Sequence, residues 1–598
     1  MSKIIYIIFF IFLFFIKPVL SEIQIIDLTN RDNEDKIDEA NTEIQELNSS
    51  LSNEKEIFNQ EEVIDDTEFN NESILNENNS ETLETNYNND SIDNLKNIWI
   101  NSSKKNVNFL FKKLDSKIAS KIIKNNIIDL IIYGTEPPND MTKAEFDKLR
   151  ILTLRKLGNI DAAISLINNI STYEENKNIY DLIFLEKSLI EYDLVTVCNI
   201  LESSPNFEFD SYIIKINIFC SYLNNDLEKA EFYNTLLLEE NENDEYFQAL
   251  YNILIEFENE INEISNYQYD EKSIILYSAI MRSINLPFTK DFININSPQL
   301  LKTIAISPST KISVRIEAAQ KAFDLNELSS ESVAAIYQSV DFTSDELQNP
   351  LKTIEMNYTN DPSKAMALLF QSSRIQILPI SRLEALNNLW EYSININESK
   401  LAFELSKDLL KTIEPSVELI DFALQTSIVH FYNQNIENSK EWLRLFENNS
   451  SEKIEKNYFQ LIFLMNLQED NYDFTNNNIE SIFENFETTQ NNLRFLELYL
   501  TTLDYIGFII PNNLWELTAI KEKDERTIPS IYVMKLIQNA SEKKLLGDLL
   551  LNIAISMEDN EWHEIHPQHV GLIFDNLLNI EEEKIVKKIA LEILKTTI

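Results

Sequence analysis

The chain has 598 residues, 44% of them apolar, so it is long enough to bury several ordinary cores or one extended one and is not disordered as a whole. Its 98 acidic against 51 basic residues leave a formal net charge of −47, which argues against any extended surface for nucleic acid or anionic lipid. Only 5 glycines and 14 prolines punctuate it, too few for a protein of β-hairpins or α/β loops, so an all-α fold of helices joined by short polar turns is predicted.

The N-terminus carries Lys3, an apolar stretch from Ile4 to Ile16, and Pro18-Val19-Leu20-Ser21, the pattern of a secretory signal peptide over residues 1–21. Val19 and Ser21 occupy the small-residue positions before a cut, which places cleavage between Ser21 and Glu22; an uncleaved anchor is the alternative. The run is shorter than the ~20 residues a membrane span needs, and no later segment is long and apolar enough, so no transmembrane span is expected in the mature chain. Residues 22–96 hold 22 acidic and 4 basic residues with many Asn and Ser, a composition unable to bury enough apolar surface to offset its ordering entropy. A disordered acidic segment is expected there. It is followed by Lys104, Lys105, Lys112, Lys113, Lys117, Lys121 and Lys124, a basic stretch that an acidic tail could contact.

The folded body opens near Trp99, with tetratricopeptide-like repeats expected over 97–260 and a more degenerate helical-hairpin array over 261–598. A first helix is predicted from about Ser116, where Ile118, Ile122, Ile123, Ile127, Leu130 and Ile131 recur at helical spacing, with Gly134 and Pro137-Pro138 as its stop. Four segments then align: Gly158-Asn159-Ile160-Asp161-Ala162-Ala163, Tyr192-Asp193-Leu194-Val195-Thr196-Val197, Asn225-Asp226-Leu227-Glu228-Lys229-Ala230 and Gln434-Asn435-Ile436-Glu437-Asn438-Ser439. The first three begin 34 and 33 residues apart. Each sets a polar turn, an aliphatic residue, and then a small or short side chain where a second helix must approach the first.

These segments resemble the tetratricopeptide repeat, a helical hairpin of about 34 residues, most clearly over residues 144–244 and 415–450. The resemblance implies a superhelix (solenoid) that binds a protein or peptide partner along a concave surface. Elsewhere the aromatic and glycine positions of that pattern are mostly missing. Taken together, Trp99 with Ser102-Ser103, the helix into Gly134 and Pro137-Pro138, Leu157-Gly158, His566-Pro567 and Lys588-Ile589-Ala590-Leu591 resemble a family of uncharacterised exported proteins of alphaproteobacteria. That resemblance implies a periplasmic home and no activity. Further helix-length amphipathic segments follow at 314–325, 331–339, 380–392, 401–413 and 570–578, and the last, 581–598, is acidic early and basic late, as the helix dipole favours.

No catalytic motif emerges, and no cofactor is expected. The glycines, at 134, 158, 507, 547 and 571, are never closer than 24 residues, which excludes phosphate loops, dinucleotide fingerprints and the strained serine elbow. His563, His566 and His569 with Glu564 form a weak metal candidate, interrupted by Pro567 and one residue short of metalloprotease spacing. Cys198 and Cys220 are the only cysteines; an oxidising compartment makes them a disulfide candidate, against two buried thiols. Trp390, Trp442 and Trp515 fall within apolar periodicity and read as core. The expected function is a non-enzymatic scaffold in the periplasm. The competing readings are an envelope factor or enzyme acting on peptidoglycan and a metal-responsive binder.

Overall fold

A computed structural model describes residues 95–115, 117–204, 210–239, 244–256, 270–293, 298–449, 456–469, 490–519 and 524–595. The signal peptide and the acidic segment up to residue 94 lie outside the described residues. All described residues belong to one unit, Asn71–Ile598, and among them there is no β-strand, only a single parallel bridge between Thr527 and Ile565.

The helices are, in the first third, α1 (Lys104–Lys113), α2 (Lys121–Tyr133), α3 (Lys143–Lys156), α4 (Ile160–Asn169), α5 (Lys177–Glu191), α6 (Leu194–Ser203), α7 (Ser211–Leu223), α8 (Leu227–Glu239) and α9 (Glu245–Glu256). The middle holds α10 (Ile274–Ser283), α11 (Lys290–Ile293), α12 (Pro298–Ile306), α13 (Ile312–Asp324), α14 (Ser330–Gln338), α15 (Ser344–Gln348), α16 (Pro350–Thr353), α17 (Pro362–Arg374), α18 (Pro379–Asn395), α19 (Ser399–Leu405) and α20 (Lys407–Leu410). The last third holds α21 (Ala423–Tyr432), α22 (Ile436–Asn449), α23 (Lys456–Gln468), α24 (Gln490–Tyr505), α25 (Asn512–Leu517), α26 (Ile531–Glu542), α27 (Leu546–Met557), α28 (Pro567–Asn579) and α29 (Glu583–Lys595). Consecutive helices pack in pairs, α3 on α4, α5 on α6, α7 on α8, α12 on α13, α21 on α22 and α26 on α27.

One turn recurs throughout. Gly158, Tyr192, Asn225, Asn285, Asn326, Asn397, Gln434, Gly507, Lys544 and Glu581 all have left-handed backbones, with φ between 53° and 101°. After each of them the next backbone N–H donates to the carbonyl five residues upstream, from Asn159 to Leu154 through Glu582 to Leu577, at 2.8–3.1 Å. This is the Schellman bond, which satisfies carbonyls that a helix end would leave orphaned and reverses the chain into the next helix. The four segments aligned in the sequence open on four of these ten residues. In each of the four, the following Asn or Asp caps the next helix: Asn159, Asp193, Asp226 and Asn435 accept from the backbone N–H three residues on at 3.1–3.3 Å. The small positions at the end of each segment, Ala163, Val197, Ala230 and Ser439, are fully buried, as close helix approach requires.

Two sequence expectations are revised. The first long helix begins at Lys121 rather than near Ser116, because Ser120 is its N-cap and accepts from the Ile123 N–H at 3.3 Å, leaving Ile118 outside it. The helix expected over 401–413 is split into α19 and α20 and ends at Leu410. Trp390 and Trp442 are buried, whereas Trp515 is half-buried against the third of three hydrophobic clusters.

Some helix ends are closed by arginines. Arg150, itself buried, donates from Nε to Ile131 O at 2.6 Å and from Nη2 to Ile132 O at 2.7 Å, while Asp147 holds Nη1 at 3.1 Å. Arg282 does the same for the end of α5, reaching Leu189 O at 2.6 Å and lying 4.7 Å from the centre of the Tyr192 ring. Each guanidinium exchanges water for carbonyls carrying the negative end of a helix dipole, so its desolvation is offset.

The first hydrophobic cluster runs from Leu185 to Trp442; the second joins residues 95–183 to residues 498–593. The beginning of the body therefore shares a core with its end. Trp99 is central to this joint: fully buried, it donates from Nε1 to Leu130 O at 3.3 Å and packs edge-on to Phe111 and Phe146. Gly134 and Gly547 make room for it, since a Cβ would lie 2.4 Å from the indole at Gly134 and 2.6 Å from it at Gly547. Gly134, at the end of α2, has φ −73°, so it is needed for closeness to Trp99 and not for a left-handed turn. Polar bonds also link the two ends of the body: Asp548 accepts from Ser102 Oγ at 2.8 Å and Asn106 Nδ2 at 2.6 Å, and Glu592 accepts from Ser120 Oγ at 2.5 Å, Lys121 N at 2.8 Å and Trp562 Nε1 at 2.9 Å. Replacing Gly547 with Ala is expected to cost about 1–3 kcal/mol through overpacking against Trp99, read as a lower midpoint in chemical denaturation, whereas Trp99→Ala is expected to cost about 3–5 kcal/mol.

Candidate functional site

The histidines proposed for a metal point to three separate partners. His563 Nδ1 faces Glu561 at 3.3 Å in a short turn before α28, and its ring stacks on Phe495. His566 is the N-cap of α28, with Nδ1 accepting from Gln568 N at 3.1 Å and Nε2 facing Asp524 at 3.4 Å. His569 is buried, with Nε2 against Ser556 Oγ at 2.9 Å, and burial holds its pKa down to about 4. Pro567 at the first position of α28 turns the chain between them. Among the described residues no group of three or more His, Cys, Asp or Glu is arranged to hold a metal ion.

Cys198 on α6 and Cys220 on α7 are joined by a disulfide, with their Cα atoms 5.6 Å apart. The bond ties two consecutive hairpins together across a sequence separation of 22 residues. A groove of about 380 Å³ between α5 and α6 is lined by Tyr173, Lys177, Asp181, Phe184 and Thr196. Its carboxylate, Asp181, is already held by the Tyr173 hydroxyl and by Ser204 Oγ at 2.5 Å, so the floor of the groove is a closed structural network.

The most unusual chemistry lies where the start, middle and end of the body converge. Asp324 ends α13, Glu327 follows the left-handed Asn326, and Glu398 follows the left-handed Asn397. Solvent still reaches all three, yet the surrounding helices displace enough water to raise their pKa values, Asp324 to about 6 and Glu327 and Glu398 to about 7. For Glu327 the attraction of Lys124 and Lys302 only partly opposes desolvation; for Asp324 Lys400 opposes it and Glu561 adds to it; for Glu398 Asp324 adds to it. Lys400 is lowered by burial and by Lys121, against the pull of Glu404, Asp324 and Glu592, and its Nζ lies 4.8 Å from the centre of the Phe323 ring. The cluster thus combines α2, α12, α13 and α19 with Glu561 before α28 and Glu592 on α29, and among the described residues its lysines and carboxylates act on one another without closing into contact ion pairs. Chemically it is a surface able to take or release protons near neutrality and to offer both ammonium and carboxylate groups.

None of these residues stands out in the sequence as a site. The available signal is positional: Asp324 sits at the carbonyl end of a helix, where the dipole disfavours it, and Asn-Glu occurs at both left-handed turns. Which lysine meets which carboxylate depends on contacts between residues hundreds of positions apart.

Comparison with known proteins finds no match: no family model fits the sequence, and neither a curated protein nor a solved structure is similar to it. Among the described residues no helix is long and apolar enough to cross a membrane.

Two outcomes follow. Because the three carboxyl groups have folded values above their unfolded values near 4, the folded chain binds more protons than the unfolded chain between about pH 4 and 7, and their contribution to stability is full below that window and is lost as pH rises through it. Glu398→Gln is therefore expected to raise the melting temperature at pH 8 and to flatten its fall between pH 5 and 8, measured by calorimetry in matched buffers. Reduction of Cys198–Cys220 is expected to destabilise the hairpins it joins by about 3 kcal/mol in the chain-entropy account, read from denaturation with and without a reductant.

Proposed function

We propose that this chain is a non-catalytic scaffold of the cell envelope whose paired helices form a tetratricopeptide-like superhelix, and that it binds a protein or peptide partner on the face bearing Lys121, Lys124, Lys400 and the neighbouring carboxylates. The observation that carries this reading is the tenfold recurrence of one left-handed turn, because identical reversals stack hairpins side by side and generate a continuous surface. The charged cluster supports a polar partner, since its lysines and carboxylates hold one another at a distance and so remain able to pair with incoming groups. The signal-peptide pattern, the resemblance to exported alphaproteobacterial proteins, and the Cys198–Cys220 bond support a periplasmic location, where disulfides persist.

The test is site-specific photo-crosslinking in intact cells from positions 124 and 400, compared with Val195 and Phe232, which are exposed on α6 and α8. A reproducible protein adduct from the first pair, lost in a Lys124→Glu, Lys400→Glu double variant and retained when residues 22–94 are deleted, is the expected result. Co-sedimentation with purified sacculi, with no protein adduct from either pair, would replace this reading with a cell-wall factor.

A further inference from the structure

The N-terminal element of the body differs from the hairpins that follow it. Residues 95–114 close no left-handed turn; α1 lies across α27 and α3, and residues 115 and 117–120, between it and α2, are not helical. Its apolar contribution is concentrated in Leu95, Trp99, Val107, Leu110, Phe111 and Leu114, all buried in the core shared with the C-terminal helices. Toward α3 and the turn before it the segment is held by Lys104, whose N donates to Asp140 Oδ1 at 2.7 Å and whose Nζ pairs with Glu145 at 2.7 Å, and by the Lys112 and Leu114 carbonyls, which accept from Lys156 Nζ. Toward α27 its polar attachment is Asp548, in the first turn of that helix. That carboxylate is 2% exposed and is held only by two neutral donors of the N-terminal element, Ser102 Oγ and Asn106 Nδ2. No basic side chain pairs with it among the described residues.

We propose that residues 95–114 form a releasable strap, which covers a groove between α2 and α27 and is anchored there by Trp99 and Asp548. Release bares a surface notched by Gly134 and Gly547 to the width of an indole, with the Leu130 carbonyl left to accept from it, the complement of an amphipathic helix carrying a tryptophan. The strap itself is the occupant in the closed form. The anchor also makes release respond to protons. A buried carboxylate without a cation is desolvated when the strap is down and hydrated when it lifts, so burial raises its pKa in the closed form, the Ser102 and Asn106 bonds and the charge of Lys543 opposing the rise. The elements packed on α27 bring few other charges to it: Lys543 follows α26, α1 offers the neutral Asn106 beside exposed lysines, and α2 contributes the buried Asp129. Because the closed form favours the protonated acid, closure is strongest below the free carboxyl value and weakens as pH rises through the raised one.

Hydrogen exchange of the full chain, read by mass spectrometry at several pH values and corrected for intrinsic base catalysis, tests this. The amides of α1 are expected to exchange at least about tenfold faster than those of α27 through a separate opening, with protection falling as pH rises. In Asp548→Asn, which keeps an acceptor and removes the charge, α1 is expected to gain protection and lose its pH dependence. A labelled synthetic peptide of residues 95–114 is expected to bind the Trp99→Ala chain and not the wild type. Exchange of α1 only together with α27, an unchanged pH dependence in Asp548→Asn, or failure of the peptide to bind the Trp99→Ala chain would each overturn the strap. Ser102→Ala, which deletes one anchor bond while leaving the core intact, serves should Asp548→Asn fail to fold, with faster α1 exchange expected and an unchanged rate counting against the proposal.

Discussion

The fold depends on an apolar joint in which the first helices of the body bury against the last. Trp99 lies between Gly134 and Gly547, and the core it belongs to takes residues from both ends of the chain. An indole so enclosed is a large share of the area that holds two sequence-distant segments together. The charged cluster is a consequence of that joint. Glu592 caps α2 while sitting on α29, and only with α2 so placed do Lys121 and Lys124 come near enough to act on Lys400 and Glu327.

The second constraint is economy in glycine. A left-handed helix end normally calls for glycine, because a Cβ there costs about 1–2 kcal/mol. Here only two of the ten such turns use it, and Asn stands at four others, its short polar side chain tolerating the conformation. Gly134, Gly547 and Gly571 are placed instead against Trp99 and Tyr505, where no side chain would fit. Charge is handled with similar restraint: Arg150 and Arg282 close helix ends, and Lys215 is buried with Asp244 at 2.5 Å between aromatic rings. Charges in the cluster, by contrast, stay partly hydrated and partly uncompensated, which leaves them able to respond to pH or to a partner.

The helical class, the existence of the helix that carries Ile122 to Ile131 and the four aligned turns were legible in the sequence because each rests on local physics, apolar residues at a helical period or a turn residue followed by Asn or Asp, whereas the start of that helix at Lys121 was set by the Ser120 cap. The remaining six were not, because Asn285, Asn326, Asn397, Gly507, Lys544 and Glu581 are held by the backbone bond and the packing around them, without a repeated pattern after them, and the middle hairpins are spaced irregularly by α15, α16 and the turn after them. The histidines were visible as a cluster in sequence but separate in space, since Pro567 starts a helix between them and each ring finds a different partner. Cys198 and Cys220 were readable only as a possible pair; their meeting required α6 and α7 to pack at a particular offset.

By itself, then, the sequence determined a helical body of paired helices preceded by an acidic segment, because composition and period act over a few residues at a time. Tertiary structure alone decided that residues 95–133 pack on residues 546–594, that Asp548 is buried beneath Ser102 and Asn106, and that Asp324, Glu327 and Glu398 share their surroundings with Lys121, Lys124 and Lys400. Those facts depend on desolvation and contact between segments separated by up to about 470 residues, for which no local pattern carries a signal.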